Sequence, residues 1–127
     1  MIRGVRGATT VTENDEKAIL QATIEVMREI QQKNHLHPDD ISQIIITMTN
    51  DLNATFPAKA IRDLDGFQFV PVMCAQEIPV PKGLPKCIRL MVTVNTSKNS
   101  GEIHHIFLND AVSLRPDLSL TKEHETR

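Results

Sequence analysis

The 127-residue sequence has no tryptophan, no tyrosine and only four phenylalanines. Platforms on which bases could stack are therefore scarce, and a net charge of -2 leaves no basic surplus to hold a phosphate backbone, so nucleic acid is not an expected partner. Two cysteines, Cys74 and Cys87, are too few for a disulfide framework and read as reduced thiols in or near strands. No apolar run approaches the ~20 residues that span a bilayer, so no membrane association is expected. The opening MIRGVRGATT carries arginines with no apolar stretch behind them, unlike a secretory signal, and a cytoplasmic location is expected by default. There is no GxGxxG, no P-loop, no CxxC and no serine in a nucleophile motif. The pairs His35/His37 and His104/His105 lack the spacing and partners of a metal site. No metal, no cofactor and no covalent chemistry are expected.

What is present is an ordinary globular composition, with 40% hydrophobic and 24% charged residues, on a length that suits one domain. Residues 2–11 are small and β-branched and predict a strand, with Ile2, Gly4, Arg6 and Ala8 on one face and Arg3, Val5, Gly7 and Thr9 on the other. Apolar residues recur at helical spacing from Ile19 to Ile30 and predict a helix over 15–33, capped by Thr12 or Asn14 and stopping near Asn34. Further strands are expected at 41–49, 68–74, 87–95 and 104–108. A helix of about two turns should start at Pro57, since proline suits a first helical position. Proline and glycine mark 79–85 as a loop, and the charged tail 121–127 is expected to be mobile. The order β-α-β-α-β-β-β makes a mixed α/β (α+β) fold with one long helix across a sheet of about five strands. So little helix over so much sheet leaves apolar surface uncovered and points towards a homo-oligomer.

Arg89 is the most informative charge, because it interrupts the apolar strand CIRLMVTV. A guanidinium does not lose its charge there, so it is either paired with a carboxylate or turned towards an anion. Glu77, at a strand-to-loop change, could pair with Arg89 or accept a ligand hydroxyl. Arg6 has glycine two residues before it and directly after it, leaving room for its side chain along the sheet, although an edge-strand arginine reaching solvent fits as well. Lys59 and Arg62, three apart on the short helix, and Arg115 before Pro116 read either as further basic groups at a site or as solvated surface.

Taken in order, five stretches resemble one family: Arg3-Gly4-Val5-Arg6-Gly7-Ala8-Thr9-Thr10, Phe56-Pro57-Ala58-Lys59-Ala60-Ile61-Arg62, Pro71-Val72-Met73-Cys74-Ala75-Gln76-Glu77, Cys87-Ile88-Arg89 and Leu114-Arg115-Pro116-Asp117-Leu118. They are similar to those of the small monofunctional trimeric chorismate mutases of the AroH class, over nearly the whole chain. The resemblance implies a homotrimer of barrel-like core, with active sites in clefts between subunits. It also implies that Arg6, Glu77 and Arg89 are catalytic. Phe56, Ala58, Lys59, Arg62, Val72, Met73 and Cys74 would form the cleft wall, some from a neighbouring subunit, with Phe107, Leu114 and Arg115 also at the substrate.

The implied reaction is the Claisen rearrangement of chorismate to prephenate, in which a C–O bond breaks as a C–C bond forms. Arg89 would meet the charge growing on the ether oxygen, Arg6 would clamp a carboxylate, and Glu77, with the Cys74 backbone and thiol, would hold the ring hydroxyl. The sequence departs from the family pattern at Phe107, where tyrosine is usual, and at Met73, where threonine is usual. Two other readings compete: a trimeric module that holds a small carboxylate without turning it over, and the enamine/imine deaminases, whose trimeric architecture is similar but whose motifs differ.

Overall fold

The structure, a computed structural model, describes residues 1–117; the tail at 121–127 lies outside the described residues. Seven elements follow one another in the expected order: β1 (Ile2–Thr10), α1 (Glu16–Asn34), β2 (Ile41–Met48), α2 (Ala58–Arg62), β3 (Val72–Gln76), β4 (Cys87–Asn95) and β5 (Ile106–Phe107). Short 3-10 turns occupy Pro38–Asp40, Ser100–Glu102 and Asn109–Leu114.

The strands form one mixed sheet in the order β3-β2-β4-β1-β5. Its centre is antiparallel, β4 pairing with both β1 and β2, while the outer pairs β2/β3 and β1/β5 are parallel. Helix α1 covers one face. Its Ile19, Val26, Met27 and Ile30 are fully buried together with Val5, Ile44, Ile46, Ile88, Leu90, Val92 and Val94 of the sheet. The period of two is cleanest in β4, where Ile88, Leu90, Val92 and Val94 are buried while Arg89 and Met91 stand on the uncovered face. Gly7 is a close approach: a methyl group there would sit 2.6 Å from Ile30 Cδ1 and 3.1 Å from Val26 Cγ2, so α1 lies directly on β1.

Several expected boundaries move. The cap of α1 is Asp15, whose carboxylate accepts the Ala18 N–H at 3.0 Å, and not Thr12 or Asn14. Asn14 instead accepts the N–H groups of Asn53 and Ala54, which ties the helix entry to the loop before α2. Pro57 caps α2, which is five residues long and so shorter than two turns. Strand β3 starts at Val72, because residues 67–70 satisfy their backbone in local turns (Phe67 N–H to Leu64 O, Val70 N–H to Phe67 O) and Pro71 has no N–H to give. Strand β5 is two residues and not five, since the backbone of His104 is taken by the Asn34 side chain. No helix among the described residues is long and apolar enough to cross a membrane.

Candidate active site

Register assembles the uncovered face. Ala75, Thr47, Arg89, Ala8 and Phe107 are successive partners across all five strands. One row along, Met73, Ile45, Met91 and Arg6 are partners across four. Arg6 and Arg89, 83 positions apart in the chain, therefore share one face of the sheet, as the alternation of each strand requires. Ala8 lies between them in the pattern and leaves space beside both.

Above these rows is a cavity of about 330 Å³ lined by Arg6, Ala8, Thr47, Arg89, Phe107 and Arg115, with Ile45, Met91 and Leu114 as apolar wall. The 3-10 turn Asn109–Leu114 delivers Leu114 and Arg115 to it. That turn is pinned to β1: the Asn109 amide donates to Thr9 Oγ1 at 3.1 Å, and the Asp110 N–H to Thr10 Oγ1 at 3.2 Å. Asn109 holds φ at 55°, a left-handed conformation that asparagine tolerates better than most residues.

Three guanidinium groups thus line the cavity. Arg89 Nε stands 3.8 Å from Glu77 Oε2, and the Thr47 hydroxyl also donates to that oxygen. Glu77 follows β3 directly and its N–H extends the ladder to Met48 O at 2.9 Å, so its side chain starts from a fixed backbone. Arg115 makes a two-pronged pair with Asp117 at 3.1 and 3.0 Å, which holds its pKa above the ordinary arginine value. A recess with three fixed cations and an apolar wall suits a small, rigid molecule with more than one carboxylate. Among the described residues no group of three or more His, Cys, Asp or Glu side chains is placed to hold a metal ion.

Residues 2–118 match the family model for chorismate mutase type I. The chain is 52% identical over 125 residues to chorismate mutase AroH of Bacillus subtilis, covering 98% of each protein. It is 41% identical over 119 residues to chorismate mutase AroH of Thermus thermophilus, covering 93% of this chain and 97% of that protein. The solved structure of a chorismate mutase from Clostridium thermocellum superposes with a TM-score of 0.85 at 45% identity, over 87% of this chain and 98% of that one. The chain belongs to the type I chorismate mutases.

Within one chain the anticipated residues of a chorismate mutase site fall into two groups. Arg6, Arg89, Phe107, Leu114 and Arg115 meet at the first cavity, with Glu77 reaching Arg89 from its edge. Glu77 and Arg89 also border a second recess, of about 450 Å³, whose wall is the loop carrying Ile78, Val80 and Leu84. Phe56, Lys59 and Cys74 line a separate hollow of about 870 Å³ beside Glu16, to which Lys59 is bridged at 3.4 Å. Cys74 pairs with Ile46, and its side chain packs towards the core on the helix side of the sheet. Its thiol therefore does not share the face of Arg89 within one chain. Ala58 is buried, and Arg62, Val72 and Met73 line none of these hollows.

Sequence reasoning missed Thr47, Ile45, Met91 and His105. Thr47 looks like any strand threonine until register sets it opposite Arg89. The His105 ring accepts the Arg6 backbone N–H at Nδ1, 2.9 Å away, a contact between residues 99 apart in sequence. The thiol of Cys87, next to this machinery in β4, is pushed up in pKa by burial, with Arg89 pulling only partly the other way.

Proposed function

We propose that the chain converts chorismate to prephenate in aromatic amino acid biosynthesis, acting as a cytoplasmic homotrimer whose sites are completed between subunits. The observation that carries this reading is Arg6 and Arg89 on the same uncovered sheet face, in adjacent rows, with Glu77 reaching Arg89. The rearrangement is intramolecular: the ether C–O bond breaks, a C–C bond forms, and no proton moves. Two things help it. Arg6 and Arg115 bind the carboxylates and hold the enolpyruvyl arm over the ring, which removes an entropic cost. Arg89 meets the negative charge developing on the ether oxygen, and such a preorganised contact is worth about 3–4 kcal/mol. Glu77 accepts the ring hydroxyl and faces the ring carbons as they become electron-poor.

The split of the anticipated residues supports assembly. Phe56, Lys59 and Cys74 lie at a hollow apart from the three arginines, and a neighbouring subunit would bring the two groups together. The surface agrees: Phe56 is 72% exposed, Met73 67%, Ile78 81% and Val80 63%, large apolar side chains that a neighbouring subunit would cover. In the assembly the uncovered sheet faces and the loop at Ile78–Val80 would pack between subunits. The Phe107 ring keeps the cavity wall where the family usually has a tyrosine, and lacks the hydroxyl.

The test is to add purified protein to chorismate, follow its ultraviolet absorbance and identify the product, with light scattering for the mass. Conversion to prephenate at three chain masses is expected. Binding without conversion would favour a carboxylate-holding module, and an active monomer would overturn the shared site.

A further inference from the structure

The geometry points to His105 as the positioning residue that aims Arg6, a role resting on the proposed chemistry in which Arg6 grips the substrate carboxylate. Two contacts to one ring define it. The Arg6 backbone N–H donates to His105 Nδ1 at 2.9 Å, and Arg6 Nη1 stands 3.3 Å from His105 Nε2. An imidazole nitrogen that accepts a hydrogen bond carries no proton, so the ring hydrogen sits on Nε2. Nε2 and Nη1 are then both donors, and the 3.3 Å approach is a packing contact and not a hydrogen bond. The ring anchors the backbone of Arg6 with one edge and stops its guanidinium with the other.

This arrangement does what a carboxylate in the same place would not. A carboxylate there would hold the guanidinium by competing for it with the ligand. The ring, accepting at Nδ1, guides Arg6 and leaves its guanidinium for the ligand. The ring itself is set from outside the cavity. Asn34, buried at the end of α1, donates to His104 O at 2.8 Å and accepts the His104 N–H at 2.8 Å. That clamp fixes the backbone one residue before His105, so the end of the long helix determines where the ring meets β1.

Kinetics of His105→Leu and His105→Asn, each in the wild-type and Arg6→Ala backgrounds, test the assignment, with a long-range ¹H–¹⁵N spectrum of the wild-type ring. His105→Leu should lower kcat/KM about tenfold, mostly through a higher KM, and His105→Asn should recover most of it, because its Oδ1 accepts where Nδ1 did. In the Arg6→Ala background His105→Leu should add no further loss, since coupled residues are non-additive. The spectrum should show the hydrogen on Nε2. A His105→Leu effect under twofold, or one that persists in full without the Arg6 side chain, overturns the role. If wild-type protein leaves chorismate unchanged, the functional reading fails separately, and a ring hydrogen on Nδ1 would still overturn this one.

Discussion

Arg89 and Glu77 face each other at the edge of the cavity with Nε and Oε2 3.8 Å apart, their side chains 47% and 23% exposed. That separation is too long for a hydrogen bond, and an ion pair so open to water adds little stability. What the pair does is directional. Thr47 holds Glu77, Glu77 draws the guanidinium of Arg89 to one side, and the cation is in place before a ligand arrives.

Replacing Arg89 should therefore damage turnover and spare the fold. Arg89→Ala and Arg89→Lys are each expected to lower kcat by at least two decades, the loss typical of one transition-state charge contact. The lysine variant keeps the charge but not the planar fork. Melting temperature and mass should be nearly unchanged, because the side chain is half exposed on a face outside the core. Near-normal turnover in either variant would remove Arg89 from the chemistry.

Gly7→Ala tests the packing that fixes β1 under α1. The added methyl would meet Ile30 Cδ1 at 2.6 Å, inside a fully buried cluster, so the helix has to lift or Ile30 has to leave its rotamer. A loss of about 1–3 kcal/mol in denaturant unfolding is expected. Adding Ile30→Val, which deletes the clashing atom, should restore part of it; a double variant no better than Gly7→Ala would locate the strain elsewhere.

At Phe107 the expected change is a gain. The ring lines the cavity, next to Ala8 across the β1/β5 pair. Phe107→Tyr would place a hydroxyl at the carboxylate end, and one added hydrogen bond nets about 0.5–1 kcal/mol. KM for chorismate should drop about twofold to fivefold with kcat little altered. An unchanged KM would mean that the arginines already satisfy that carboxylate.

The buried Cys87 thiol makes stability depend on alkaline pH. Burial raises its pKa in the folded chain, while the unfolded chain keeps an ordinary thiol near about 8.5. Above that value the unfolded state loses its proton first and the folded state retains it. Stability is therefore fully present below the unfolded pKa and falls as pH rises through it. Comparing unfolding at pH 7 and pH 10 for wild type and Cys87→Ala isolates this contribution: the alkaline drop should be smaller in the variant, and an equal drop would exclude the thiol as its source.

Much of the fold was legible because its signals are local. The nine residues of β4 read directly from their alternation, and α1 is displaced by a single residue from the reading based on apolar spacing. Arg89 stood out for the same reason, as a fixed charge inside an apolar run. Errors arose where a competing hydrogen bond, distant or local, took over the backbone. Asn34 shortened β5 by bonding His104, and local turns at 67–70 delayed β3 past a stretch that has strand-like composition.

The amino-acid sequence by itself determined which residues lie on alternate faces of each strand, which stripe of α1 is apolar, and which arginine interrupts an apolar strand. These follow from backbone periods of two and 3.6, properties of short segments. Only the tertiary structure decided that Thr47, Arg89, Ala8 and Phe107 form one row, that Cys74 turns to the helix side, and that His105 meets Arg6. Those relationships depend on register between strand residues up to 99 positions apart in sequence, and register is set by the packing of the whole sheet on α1.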